Sequence, residues 1–170
     1  MPSAVVAVRR RRPYDVPVAA LGELDRLAIR ATNHCLTGCA IGEVAGLAIG
    51  SALGWSVPAT IALAVVLAFV FGYALTMRQL LAGGLALATA ARTAVVADTA
   101  SIAVMELVDN AVILAVPGAM EAGLADPLFW LSLAVALAIA WVVTLPVNRW
   151  LIGRGQGHAV VVHHHGSHDG

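Results

Sequence analysis

The sequence contains no lysine: its ten basic residues are all arginines, and only 12% of the chain is charged. Aromatic residues make up 5%, and cysteine occurs twice. Each shortage excludes something. Two cysteines are too few to staple a small secreted domain that lacks a core of its own. Nucleic-acid binding needs a folded basic surface, and the one dense basic run, Arg9 to Arg12, has no such surface around it. The chain also lacks a glycine-rich nucleotide loop, a recognisable Ser/His/Asp set and a C-x-x-C-H haem signature, so no enzymatic class is indicated.

What remains is apolar. The 170 residues are 60% hydrophobic, with a mean hydropathy of +0.87, far outside the range of a soluble domain. Crossing a hydrocarbon layer of ~30 Å takes roughly 20 mainly apolar residues as a helix. Four windows meet that length, at about 33–54, 58–77, 94–116 and 128–147. Runs such as "IALAVVLAFVFGYAL" do not alternate as barrel strands must. The expected fold is therefore all-α: a polytopic membrane protein with a four-transmembrane-helix bundle, its lipid bilayer the first partner. The chain divides into a basic N-terminal segment (1–17), the four-helix domain (18–153) and a flexible His-rich tail (154–170).

The arginines orient it. They fall at the N-terminus, between the second and third spans (Arg78, Arg92) and after the fourth (Arg149, Arg154), whereas "GWSVPA" and "PGAMEAGLADP" contain none. The positive-inside rule then places both termini in the cytoplasm, with a bacterial inner membrane as the expected location. Residues 18–31 set Leu21, Leu24, Leu27 and Ala28 opposite Glu23, Asp25 and Arg26, the pattern of a cytoplasmic amphipathic helix that can run into the first span. "RRRRPYDVPVAALGELDR" follows its charges with a mixed segment, so no cleavable signal peptide is expected.

Two patterns share the first span. Gly38, Gly42, Gly46, Gly50 and Gly54 form a strip without side chains, a surface for close helix packing and a candidate contact to a second copy or a larger membrane complex. Beside it Cys35, Cys39 and Glu43 also recur every four residues, with His34 next to Cys35. Two thiols one turn apart, with an imidazole adjacent, make a donor set for copper(I) or zinc. Cysteine is equally at home as a small buried apolar residue, and a permanent disulfide is not expected at a cytoplasmic end.

The third span holds Asp98, Glu106 and Asp109 with Met105 and Asn110. A charged group at the bilayer centre costs ~2.5–3.5 kcal/mol on insertion scales. No arginine lies within a span to neutralise these acids, so they must face the bundle and meet a proton, a metal ion or a neutral donor. Counting 1.5 Å per residue, Cys35 and Asp98 fall near the cytoplasmic end and Glu43 and Glu106 near the midplane, so spans one and three are expected to face each other. Superimposing Cys35 on Asp98 also places Glu43 on Glu106, a faint sign of duplicated hairpins. After the last span, His163, His164 and His165 stand in a tract suited to collecting metal ions.

"HCLTGCAIGE" in the first span, "MELVDN" in the third and "PVNRWLIGRGQGHA" before the tail resemble an uncharacterised bacterial integral-membrane family, catalogued as a domain of unknown function. The resemblance runs from about Asn33 to the tail. It implies a small helical membrane protein with a loose link to copper and heavy-metal settings, and carries no activity. The expectation is a non-enzymatic membrane protein that takes copper(I), or secondarily zinc, from the tail to His34, Cys35 and Cys39, whether for transport, sensing or storage. Met105, Glu43, Asp98, Glu106 and Asp109 lie deeper. The alternative is an accessory subunit of a membrane complex, with protonated acids and no metal.

Overall fold

The computed structural model describes residues 18–154 as four helices: α1 Val18–Ala52, α2 Val57–Ala82, α3 Leu87–Ala115 and α4 Pro127–Gly153. The arginine run and the tail histidines His163, His164 and His165 lie outside the described residues. The breaks fall where the sequence supplies punctuation. Gly54 (φ 65°) and Gly84 (φ 86°) turn the chain through a left-handed conformation that side chains resist. Pro58 occupies the first turn of α2, where a missing N–H costs nothing. Asp126 caps α4, its Oδ1 accepting from the Leu128 N–H at 2.8 Å.

No break separates the expected amphipathic segment from the first span: α1 is one helix of 35 residues. Its early turns are held by packing, since Ala28 and Ala31 are buried against Ile152, with Leu24, Leu27 and Leu145 around them. Glu23, Asp25 and Arg26 stay exposed on the other side.

Three helical segments are long and apolar enough to cross a membrane: Gly22–Ala52, Val57–Ala82 and Pro127–Gly153. Helix α3 has the length, 29 residues, and owes its lower hydropathy to the acids and hydroxyls on one face. That face is the inner one, because Asp98, Ser101, Glu106 and Asp109 are all buried. Val95, Val96, Leu107 and Leu114 point outward instead.

The glycine strip from Gly38 to Gly50 packs against α2 of the same chain. A Cβ on Gly42 would lie 2.5 Å from the Ala68 Cα, one on Gly46 2.5 Å from the Ala64 Cα, and one on Gly38 2.8 Å from the Gly72 Cα. Helix α2 answers with small residues at the same four-residue step, burying Ala64, Ala68, Gly72 and Thr76. Two small strips let the backbones of α1 and α2 touch, which favours dispersion. A single hairpin folding on itself satisfies the pattern, so no second chain is needed to explain it.

Helix α4 closes the bundle through polar contacts to α1 in the arginine-rich half. The Asn148 amide donates to Thr32 Oγ1 at 2.9 Å in a fully buried site, and the Trp141 indole N–H donates to Asn33 Oδ1 at 2.8 Å. At the rim Arg149 pairs with Asp25 at 2.5 Å.

Candidate interior cation site

Helix α1 carries sulfur donors and a carboxyl on the face turned to α3, and α3 answers with carboxyls and a thioether. Cys35, Cys39, Ile102 and Met105 pack in one fully buried cluster with Ala68 of α2 and Ala140 of α4. Both cysteines are free thiols. Along this seam Cys35 lies beside Asp98 and Ser101, Cys39 beside Glu106 and Asp109, and Glu43 beside Glu106 and Asp109. The depth matching expected from helical rise is therefore what the helices adopt.

The acids sit in unusual surroundings. Both carboxyl oxygens of Asp109, and Oε1 of Glu43, are buried with no hydrogen-bond partner among the described residues, and the Cys39 thiol is the side chain in hydrogen-bond reach of the buried Glu106 carboxyl. Asp109 is 0% exposed and Glu106 4%. Among the described residues the ion pair at the rim is the one salt bridge found, so no arginine reaches the seam. A bare carboxylate in an apolar interior is strongly disfavoured, and such a group takes a proton or a cation.

His34 does not turn toward the thiols. Its Nε2 meets Thr76 Oγ1 at 2.7 Å and its Nδ1 meets Gln79 Nε2 at 3.4 Å, both on α2. Adjacent helical residues are about 100° apart, which carries the imidazole off the cysteine face. Thr76 in turn lies in hydrogen-bond reach of Asp98, so His34 meets the seam through a hydroxyl. Among the described residues no three His, Cys, Asp or Glu side chains converge closely enough to hold a metal ion. The donors instead form a ladder along the bundle.

Two elements of the site escaped sequence reasoning. Thr76, 1% exposed, bridges His34 and the seam; its place at the end of the Ala64, Ala68, Gly72 series was the available signal. The Thr32–Asn148 bond had none, because the two residues are 116 positions apart.

Buried acids and thiols with no arginine among them, wrapped in helices that expose apolar side chains, define a helical membrane protein with a polar interior seam. The chain belongs to the family described as a domain of unknown function, DUF4396, which matches residues 26–157. Neither a curated protein nor a solved structure matches it.

Proposed function

We propose that this is a four-span protein of the bacterial inner membrane, both termini cytoplasmic, that binds and moves a transition-metal cation through its interior without chemical catalysis. Copper(I) is the first choice and zinc the second. The observation that supports this best is the chemistry of the seam: two buried thiols and the Met105 thioether share the interior with the buried carboxyls of Glu106 and Asp109. Thiolate and thioether are the donors soft ions prefer. Counting α3 as a span is supported by its 29 residues and its apolar outer face. The arginine distribution supports the orientation.

A ladder in place of a closed ligand group suits an ion in transit, which must bind at each step weakly enough to leave. It equally favours a second reading, an accessory subunit whose acids are protonated and whose thiols only pack. Elemental analysis of protein purified without added metal, under reducing conditions, separates them. The transport reading expects copper or zinc in stoichiometric amount, and Cys35→Ser and Cys39→Ser each weakening copper(I) binding at least tenfold, because serine offers a hard oxygen. Binding should also release protons as the thiols ionise. No bound metal, together with full copper(I) affinity in the double serine variant, refutes it.

A further inference from the structure

At the arginine-free end, the last turns of α1, the first turns of α2 and the connection between α3 and α4 enclose a cavity of about 170 Å³. Its inner wall is apolar: Ala64, Ala119, Ala122 and Phe129 line it and are buried. Ser132 lines it too, but its hydroxyl is spent within α4, on the carbonyls of Leu128 at 2.7 Å and Phe129 at 3.0 Å. Beneath, the packed side chains of Val44, Leu47, Ile113, Phe129 and Leu133 close the floor and separate the cavity from the seam. The interior is thus an apolar cup, apart from the acids and thiols.

The mouth has a different chemistry. Ser51, Trp55 and Glu121 line the cavity and are exposed. Glu121 has no cationic partner among the described residues, where Arg149 with Asp25 is the one salt bridge. No arginine occurs between Arg30 and Arg78 or between Arg92 and Arg149, the stretches that supply every lining residue. The connection that presents Glu121 is held by the Trp130 indole N–H donating to the Leu124 carbonyl at 2.9 Å and by the Asp126 cap. A carboxylate and an indole face both attract an ammonium group.

We propose that this cavity binds a small lipophilic amine, with a single ring or an equally bulky alkyl group in the apolar cup and the ammonium in water at the mouth, beside Glu121 and Trp55. Size sets the body: an apolar cavity of about 150 Å³ stays dry and takes up benzene, and this one is slightly larger. A closed floor excludes a long acyl chain. Apolar walls with a few polar groups that orient the ligand are the usual make-up of a small-molecule site, and the charge, left at an exposed carboxylate, is never desolvated. The site is independent of the metal-handling reading, because no part of the ligand reaches the seam.

The test uses the full chain in lipid nanodiscs, with empty nanodiscs as the blank for partition into lipid. Binding of para-fluorophenethylamine, of neutral para-fluoroethylbenzene and of anionic para-fluorophenylacetate is followed by fluorine NMR. The amine should bind saturably, one per chain, and roughly three- to tenfold more tightly than the neutral probe at low salt, the scale of one exposed ion pair with one exposed cation–π contact. The anion should bind most weakly. High salt and Glu121→Gln should each shrink the preference for the amine while leaving the neutral probe unchanged. Ser51→Phe, a substitution at the exposed mouth, should block both probes without lowering the unfolding midpoint. Amine uptake no greater than in empty nanodiscs, or saturable binding that survives Ser51→Phe, overturns the site. An anion or neutral probe bound as tightly as the amine, or a preference for the amine unchanged in Glu121→Gln, overturns the assignment of an amine.

Discussion

Replacing Gly42 with alanine tests the backbone contact on which the bundle rests. The added Cβ would lie 2.5 Å from the Ala68 Cα and 2.9 Å from the Ala68 Cβ, where carbon atoms prefer about 3.5–4.0 Å. Neither obstacle can swing away, because both belong to backbone or to a methyl fixed on it, so α1 and α2 must part by roughly 1 Å. Overpacking of this kind costs about 1–3 kcal/mol. Alanine returns about 0.8–1.0 kcal/mol of helix propensity, leaving a net loss of about 0–2 kcal/mol against wild type and of about 1–3 kcal/mol against a glycine-to-alanine change that meets no neighbour. Gly22→Ala isolates the propensity term, since a Cβ there meets nothing within 4 Å; it should be neutral or stabilising by up to about 1 kcal/mol. Gly72→Ala should fall between them, because its Cβ meets the movable end of Ile102 at 2.5 Å. Thermal or SDS-induced unfolding in detergent reads all three. Equal stability of Gly42→Ala and Gly22→Ala would refute the contact.

Asn148→Ala removes the buried bond to Thr32 and should cost about 0.6–1.7 kcal/mol, the range for hydrogen bonds between membrane helices; an unchanged unfolding midpoint would place that bond elsewhere. Arg149→Gln breaks an ion pair whose side chains are 47% and 52% exposed, so the loss should stay below about 1 kcal/mol and vanish in high salt. Reporter fusions after Arg78 and at Gly123 should read cytoplasmic and exterior respectively, and the reverse pattern would overturn the orientation.

Most of the architecture was legible because membrane helices announce themselves by length and apolarity. The windows at 58–77 and 128–147 fall inside α2 and α4, whose ends run a few residues further because interfacial side chains such as Arg78 and Trp150 continue the helix beyond the apolar run. The facing of α1 and α3 was also legible, since Cys35 with Asp98 and Glu43 with Glu106 match in depth and acids cannot face lipid. What hides from sequence is choice of neighbour. The glycine strip says that some helix comes close, and only the tertiary arrangement identifies α2. Likewise His34 is adjacent to Cys35 in sequence and points to Thr76 and Gln79, because a turn of 100° per residue separates neighbours in the chain. That rotation decides whether three donors make a centre or a ladder.

The contact between α1 and α2 also constrains how the protein can move. Where Gly38, Gly42 and Gly46 meet Gly72, Ala68 and Ala64, no layer of flexible side chains lies between the helices to absorb sliding. The two are therefore expected to move as one stiff unit. Helix α3 meets that unit through longer, more compliant groups, Met105 and Ile102 among them. A rearrangement that widens or narrows the seam is then expected at the packing of α3 and α4 on a wall that carries Cys35, Cys39 and Glu43.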